Sequence, residues 1–379
     1  MTNNKAYKER FLFLHAIRGV AAMAVVFYHL YGNLKAEVTS WFPSVLSTIL
    51  QHGYLGVPVF FVISGFVITH SVDCPNITPA YIGRFALRRA LRLDPPYWAM
   101  IAITIVLMQF KNNFFGGHDI LPSAKVTFAH LFYLQDLLGY NALSAVFWTL
   151  CLEVQLYLIY IILSGLSLYL AKKFLQLNFE SFHTIILVSL GVYSFAAYIQ
   201  LLPAGPAGLF IPFWHFFLLG HLAYKSIKNN DSTIFFIFTA YILCLSLVTS
   251  FNANVVAALI SAIVFFIAYK SNYIYEGLGH SVFQYFGTIS YSLYLSHADI
   301  GWKAVSFAKV YIFNNSARLN VFEFLFCLVS GLIVSIISAH FLYRLIELPS
   351  SRLSKSLKKT PQVELISSSS SPAIKKDLS

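Results

Sequence analysis

Residues 11–32, FLFLHAIRGVAAMAVVFYHLYG, carry an arginine and a histidine inside a stretch that is apolar enough to cross a membrane. The part from Leu12 to Tyr31 has the length of one helical crossing of the hydrocarbon core, about 20 residues. Arg18 and His29 are eleven residues apart. This is close to three helical turns, so their side chains share one stripe, about 16 Å apart along the axis. Because an arginine that faces lipid is costly, the segment predicts a spanning helix whose polar stripe faces protein or water.

The composition of the whole chain is typical of an integral membrane protein. Hydrophobic residues make up 58% and charged residues 11% of the chain, and the mean hydropathy is +0.69. Soluble domains carry about 25% charged residues. Helices are the spanning element that this hydrophobicity favours, so we predict an all-α integral membrane protein with about ten transmembrane helices. Its apolar stretches begin near residues 12, 52, 95, 145, 183, 207, 233, 253, 283 and 321.

The net charge of +11 has a distribution that requires no nucleic-acid partner. With ten crossings, both termini lie on the same side of the membrane. If that side is the cytoplasm, the cytoplasmic segments hold 19 of the 26 lysines and arginines and the outer loops hold six, with Arg18 inside the membrane. This asymmetry is the one that the positive-inside rule describes. We therefore predict that the N- and C-termini are cytoplasmic.

Residues 1–350 are predicted to form a single multi-pass membrane domain. The longest outer segment, 111–145, contains the apolar stretch 128–138, which is too short to span and is predicted to be a re-entrant or interfacial helix. After Pro349 the composition shifts to Ser, Lys and Pro, so residues 351–379 are predicted to be a disordered cytoplasmic tail. The four cysteines show neither CxxC nor Cys/His ligand spacing, and we predict no disulfide and no metal site.

Polar side chains recur in the outer halves of two further predicted helices. Glu153 is the only charge in FWTLCLEVQLYLIY (147–160), and Trp148 lies near the outer end of that helix. The ninth predicted helix carries a stripe of polar residues at i, i+4 and i+7, namely Ser290, Tyr294 and His297. If these stripes meet His29, they form a water-accessible cavity with a histidine that takes a proton from a hydroxyl near neutral pH.

Six short motifs follow one another along the chain. They are Arg18 and His29 with ten residues between them; GVPVFFVISGF from Gly56 to Phe66; RLDPPY from Arg92 to Tyr97; the pattern Trp148-x-Leu150-x-x-Glu153; ISYSLYLSH from Ile289 to His297; and Glu347 with Pro349. In this order the motifs resemble the membrane acyltransferase family 3, bacterial enzymes that place O-acyl groups on surface polysaccharides and related acceptors. The resemblance covers nearly the whole chain.

The resemblance implies an O-acyltransferase of the bacterial inner (plasma) membrane. Its donor would be cytoplasmic acyl-CoA, with acetyl-CoA expected, and its acceptor a hydroxyl of an extracytoplasmic saccharide or lipid-linked glycan. A thioester is already activated, so the enzyme needs mainly a base for the acceptor hydroxyl and a donor to the developing oxyanion. In this interpretation His29 is the base, or in a rival mechanism the carrier of the acyl group.

The other candidate residues have supporting roles in this interpretation. Arg18 binds the pantetheine arm or holds a helix pair together, for instance through an ion pair with Glu153. Glu153 orients a histidine or binds sugar hydroxyls. The residues expected to contact the substrates are Trp148, Ser290, Tyr294 and His297.

An arginine cluster precedes the third predicted crossing and comprises Arg84, Arg88, Arg89 and Arg92. If this segment is helical, the first, second and fourth of these arginines are spaced i, i+4 and i+8 and share one face. Guanidinium groups suit phosphates, so the cluster is a candidate site for the 3′-phospho-ADP end of CoA. The alternative is that these charges serve only the positive-inside asymmetry.

Two other classes of membrane protein fit ten helices with polar stripes. One is a transporter or flippase for a lipid-linked sugar, and the other is a glycan polymerase. The chain shows neither internal repeats nor matched Gly/Pro-broken helices, which transporters often have, and no large acceptor-binding loop beyond 111–145. Release of free thiol from acyl-CoA, dependent on His29, would distinguish an acyltransferase from both.

Overall fold

A computed structural model describes residues 11–38, 41–72, 77–175, 178–249 and 251–357, and this part of the chain contains helices and no strand. The predicted all-α class is therefore confirmed. In chain order the helices are α1 (Leu12–Val38), α2 (Ser44–Gln51), α3 (Gly56–Val72), α4 (Pro79–Phe114), α5 (Ala124–Leu131), α6 (Phe147–Leu170), α7 (Phe179–Tyr198), α8 (Trp214–Lys228), α9 (Thr233–Val248), α10 (Ala253–Lys270), α11 (Tyr273–Glu276), α12 (Ser281–Ser296), α13 (Trp302–Phe307), α14 (Val321–Leu342) and α15 (Leu348–Ser356).

Short segments of other helical types join several of these elements. The 3₁₀ turns are His52–Leu55, which links α2 to α3, and Ile211–Phe213, which precedes α8. The π-helical turns are Ala171–Leu175 after α6, His297–Gly301 between α12 and α13, Ala308–Ile312 after α13, and Tyr343–Glu347 between α14 and α15. Such π turns are frequent at functional sites, and one of them begins at His297.

Seven stretches within the described ranges are long and apolar enough to cross a membrane. The protein is thus a multi-pass helical membrane protein. The other three predicted crossings form shorter helices, α8, α9 and α12, of 15, 16 and 16 residues. The count of ten and the side of the termini stay predictions. The seven stretches are Leu12–Val38, Ser44–Val72, Pro79–Phe114, Phe147–Lys173, Phe179–Tyr198, Ala253–Lys270 and Val321–Ser356.

The arginine cluster lies on the same helix as the apolar stretch that follows it. α4 starts at Pro79, where the hydroxyl of Thr78 accepts a hydrogen bond from a backbone N–H of the first turn, and it continues to Phe114. The apolar stretch that begins near residue 95 is thus the continuation of this helix, because Pro95 and Pro96 stand inside it and do not end it. Each proline removes one backbone N–H donor, and the helix nevertheless remains continuous.

Two predicted segments near the ends of helices need correction. The apolar stretch 128–138 is not one helix, because α5 ends at Leu131 and Tyr133 has a positive φ of 59°. The predicted disordered tail begins too early, because α15 extends through residues 351–356. Pro349 lies in the first turn of α15, directly after the π turn Tyr343–Glu347, and the helical stretch continues through it to Ser356. The rest of the predicted tail, 358–379, lies outside the described residues.

Two close helix crossings set the arrangement of the core. At one, α1 meets α12, and a Cβ added to Gly19 would collide with the backbone of Gly287. At the other, α3 meets α8, and a Cβ on Gly65 or on Gly220 would collide with the opposing backbone. Small residues let helix backbones approach this closely in membranes. The first crossing brings the Arg18–His29 stripe against the ISYSLYLSH segment.

We expect Gly220→Ala to destabilise the protein by roughly 1–3 kcal/mol, because the added methyl group overpacks a backbone contact. Gly83→Ala is the matched control on α4, since a Cβ there meets nothing within 4 Å. The control should leave stability unchanged or raise it by up to about 1 kcal/mol, the helix preference of Ala over Gly. Both are measured as the temperature at which detergent-solubilised protein loses its monodisperse elution peak. Equal loss in the two variants would contradict the crossing.

Candidate active site

A cavity of about 90 Å³ lies between helices α1, α3, α4, α6 and α12. Its wall on α3 is mostly apolar and includes Val57, Phe60 and Phe61. The rest of the wall is rich in polar groups, including Arg18, Arg89, Arg92, Glu153, Tyr157 and Tyr294. The helices that bear most of the predicted motifs thus surround one space.

Three arginines from two helices line this cavity. They are Arg18 on α1 and Arg89 and Arg92 on α4, and no carboxylate among the described residues lies within the 4.0 Å of an ion pair with any of them. The predicted alternative of an ion pair between Arg18 and Glu153 is therefore not formed. Guanidinium groups without an ion-pair partner are able to bind an anion.

Arg89 is held in place by two aromatic rings. Its guanidinium carbon lies 5.0 Å from the centroid of the Tyr157 ring and 5.6 Å from that of Phe85, within the range of cation–π attraction. Its Nη2 donates a long hydrogen bond of 3.5 Å to Ser71 Oγ. These contacts orient Arg89 without neutralising its charge.

Glu153 accepts hydrogen bonds from one hydroxyl of its own helix and one of α3. The Tyr157 hydroxyl, one turn further along α6, donates to Glu153 Oε1, and Ser64 Oγ donates to the same oxygen at 3.4 Å. We expected Glu153 to orient a histidine or to bind a sugar. In the structure its hydrogen-bond partners among the described residues are hydroxyls and not a histidine, which leaves the role of orienting a histidine without support.

Two histidines meet next to Tyr294 of the cavity wall and do not themselves line the cavity. His297 Nε2 lies 3.0 Å from His29 Nδ1, and the ring centroids are 5.0 Å apart. His29 Nδ1 also lies 3.1 Å from the carbonyl oxygen of Val25, and His297 Nδ1 lies 3.1 Å from that of Leu293. His297 is fully buried, whereas His29 is partly exposed. The stripes of α1 and α12 therefore converge, which the sequence alone left open.

Tyr294 connects the cavity to the histidine pair. Its ring lines the cavity and lies 5.8 Å from the His297 ring. Thr149 Oγ1 donates to the carbonyl of Val146 at 2.9 Å and lies 2.8 Å from the Tyr294 hydroxyl. Because Thr149 has a single hydroxyl hydrogen, Tyr294 donates to Thr149 in this arrangement. The expected hydrogen bond from the Tyr294 hydroxyl to a substrate would therefore require the hydrogen bond between Tyr294 and Thr149 to break. The ring of Tyr294 already faces the cavity.

The remaining predicted site residues divide into two groups. Ser290 lines the cavity and donates its own hydroxyl to the carbonyl of Gly287 at 2.8 Å. Trp148 is exposed and packs against Phe213, with 5.8 Å between ring centroids, so it does not line the cavity. Arg84 and Arg88 do not line it either. Trp148 faces away because the face of α6 that includes Thr149 and Glu153 is the one directed inward.

Some cavity residues were not predicted from the sequence. Ser64, Thr149 and Tyr157 all make hydrogen bonds at the cavity wall. Tyr157 follows Glu153 by four residues, and this spacing places two side chains together on a helix, so it was recognisable. Glu347 of the last motif is buried and accepts a 2.6 Å hydrogen bond from Ser292 Oγ. It thereby fixes the position of α12 through a residue that does not line the cavity.

Comparison with known proteins gives an independent test of the resemblance. A candidate O-acetyltransferase of Staphylococcus aureus (strain COL) is 24% identical over 368 residues, which are 89% of this chain and 56% of that protein. A candidate acetyltransferase of Acidianus two-tailed virus is 28% identical over 255 residues, 64% of this chain and 67% of that protein. The peptidoglycan O-acetyltransferase OatA of Listeria monocytogenes is 26% identical over 162 residues, 39% of this chain and 23% of that protein.

The chain spans about half the length of the Staphylococcus aureus relative. No solved structure shows a significant match. The model of the family described as an acyltransferase domain matches residues 11–340, which include five of the six motifs in full. Because this match covers most of the chain, the protein belongs to the acyltransferase family 3.

Proposed function

We propose that this protein transfers an acyl group, expected to be acetyl, from cytoplasmic acyl-CoA to a hydroxyl of an extracytoplasmic saccharide, in the inner (plasma) membrane of a bacterium. The observation that carries the proposal is one cavity lined by three arginines without an ion-pair partner among the described residues, with a histidine pair next to Tyr294 in its wall. The names of the relatives support O-acetyl transfer. Peptidoglycan is the acceptor of the Listeria monocytogenes relative by its name, which makes a cell-wall glycan one acceptor to test.

The arginine end suits the phosphates of CoA. Arg18, Arg89 and Arg92 bring three positive charges to one wall, and guanidinium groups bind phosphate oxygens through paired hydrogen bonds. By the charge asymmetry of the sequence this is the cytoplasmic half of the membrane. The flexible pantetheine arm of CoA would then run along the apolar wall of α3 and past Tyr294. This path carries the thioester toward His29, about 16 Å further along α1.

The histidine end suits proton transfer from the acceptor. In the proposed reaction the acceptor hydroxyl oxygen forms a bond to the thioester carbonyl carbon while His29 takes the hydroxyl proton. The carbon–sulfur bond then breaks, and the thiolate of CoA takes the proton from His29, so that the products are the ester and free CoA. In the rival mechanism a ring nitrogen of His29 bonds to the carbonyl carbon while the carbon–sulfur bond breaks and the thiolate of CoA leaves. The acceptor hydroxyl then displaces the histidine, and its proton goes to the thiolate, so that the products are again the ester and free CoA.

The transporter and polymerase interpretations have less support. A lipid-linked sugar also carries phosphate, so the arginines fit these interpretations too, but neither needs a base that takes a proton from a hydroxyl beside that site. Membership of the acyltransferase family 3 favours acyl transfer.

Sided membrane vesicles test the proposal together with the orientation. We expect inverted vesicles, whose cytoplasmic face is outward, to release free thiol from added acetyl-CoA and to transfer the labelled acetyl group to glycan in the lumen. Sealed right-side-out vesicles should do neither, because CoA does not cross the membrane. Vesicles that lack this protein are the control. Thiol release from right-side-out vesicles would contradict the orientation, and none from either preparation would contradict the function.

A further inference from the structure

We infer that His297 is a positioning residue, which fixes the tautomer and the orientation of His29 so that Nε2 of His29 is the nitrogen that takes the proton. This inference rests on the proposed function for its catalytic consequence. The arrangement of hydrogens itself follows from the contacts of the two rings.

The hydrogen of the His297 ring lies on Nδ1. This nitrogen is 3.1 Å from the carbonyl oxygen of Leu293, one turn earlier in the same helix. A carbonyl oxygen only accepts hydrogen bonds, so Nδ1 must donate. A neutral imidazole carries one N–H, and a fully buried ring without a carboxylate at ion-pair distance among the described residues is favoured in its neutral form. Nε2 of His297 therefore presents a lone pair.

The hydrogen of the His29 ring follows from that of His297. His29 Nδ1 faces two acceptors, the carbonyl oxygen of Val25 at 3.1 Å and the lone pair of His297 Nε2 at 3.0 Å. A lone pair on Nδ1 would be repelled by the lone pairs of both acceptors, whereas an N–H on Nδ1 donates to them. His29 therefore carries its hydrogen on Nδ1 and its lone pair on Nε2, and Nε2 makes no hydrogen bond to any residue of the described chain.

This arrangement has a functional consequence that packing alone would not require. In serine hydrolases a carboxylate holds the catalytic histidine by its Nδ1–H, and loss of that acceptor costs activity through the wrong tautomer. Here a neutral imidazole supplies the acceptor. When Nε2 of His29 takes a proton, the Nδ1–H becomes more acidic and its bond to His297 becomes stronger. The π turn that begins at His297 gives this ring a local geometry that differs from a regular helix.

The geometry also argues against the predicted substrate-binding role of His297. Both of its ring nitrogens already have partners, and its side chain is fully buried. A substrate group would have to displace either His29 or the helix carbonyl. His297 therefore acts through His29.

Histidine ¹⁵N chemical shifts of the full chain in nanodiscs test the tautomer without any assay of activity. We expect the wild-type His29 signal, assigned by its loss in His29→Ala, to show a protonated Nδ1 and an unprotonated Nε2 at pH 8. In His297→Ala the Val25 carbonyl is the one remaining acceptor of the Nδ1–H, so the same signal should show a smaller share of the Nδ1–H tautomer. A wild-type His29 with its hydrogen on Nε2, or no change in His297→Ala, would overturn the inference.

Kinetics with acetyl-CoA and the acceptor glycan test the consequence. His297→Ala should lower kcat by about 10- to 100-fold, the usual cost of losing a supporting partner of a functional histidine, with KM for acetyl-CoA unchanged. His297→Gln should recover most of this loss, because its Oε1 lies near the position of Nε2 and accepts the same hydrogen. His215→Gln is the matched control, since His215 is equally buried and does not line the cavity.

These experiments distinguish failure of the positioning role from failure of the proposed function. If folded His297→Gln is as inactive as His297→Ala while the control keeps its activity, the positioning role is wrong. If wild-type protein does not turn over acetyl-CoA at all, the proposed function is wrong, and the ¹⁵N shifts still decide the tautomer. If His297→Gln does not yield folded protein, the wild-type and His297→Ala spectra decide.

Discussion

His29→Ala should abolish nearly all O-acylation while leaving the protein folded in the membrane. Loss of a general base costs roughly two to four orders of magnitude in rate, and loss of an acyl carrier would cost at least as much. His29 is partly exposed, and its ring contacts those of Tyr28 and His297, so we expect the loss of the side chain to leave the helix packing intact. Ester content of the glycan, membrane level of the protein and glycan length are measured in the same strain.

The control for this experiment is His118→Ala, which removes an exposed histidine from the segment between α4 and α5. It should keep full ester content. Glycan of normal length that lacks esters in His29→Ala is the expected pattern. Truncated or missing glycan would favour the polymerase or transporter interpretation, and normal ester content would remove His29 from catalysis.

Arg92→Ala should raise KM for acyl-CoA by about 10- to 100-fold, because a hydrogen bond to a charged group contributes about 1.5–3 kcal/mol. Arg89→Ala should do the same, and both variants should respond less to added salt, since exposed phosphate contacts are screened by salt. Initial rates over a range of acyl-CoA concentrations and ionic strengths measure these effects. kcat should fall less than KM rises, because the arginines are remote from His29.

Arg84→Ala is the matched control on the same helix, because Arg84 is exposed and does not line the cavity. It should leave the donor kinetics unchanged. An equal effect of all three substitutions would indicate that the cluster serves only the charge asymmetry across the membrane. Unchanged kinetics in Arg92→Ala, with normal protein level, would exclude the phosphate site.

Hydropathy and the Arg18–His29 spacing were sufficient to predict the helical membrane class and the stripe on α1. Both depend on local properties, namely the free energy of transferring side chains into lipid and the 100° turn per residue of a helix. The number of crossings was harder to predict. The apolar stretch that begins near residue 207 contains a glycine and a proline, and α8 begins only at Trp214. A hydropathy count registers apolar residues and takes no account of where a helix begins.

The periodicity of α4 does not determine which of its arginines reach the cavity. The spacing of Arg84, Arg88 and Arg92 predicts a shared face, yet Arg92 reaches the cavity together with Arg89. Periodicity identifies the faces of a single helix, whereas the face that turns inward is set by the neighbours against which it packs. On α4 the inward direction depends on α6, which supplies Tyr157 beneath Arg89.

The contact between His29 and His297 likewise could not be predicted from local sequence patterns. The sequence places each histidine at the outer end of a polar stripe, but 268 positions separate them along the chain. Their contact depends on the crossing of α1 and α12, where two glycines remove the side chains that would hold the backbones apart. Local propensity carries no information about such a contact, because its free energy comes from atoms that become neighbours after the helices have packed.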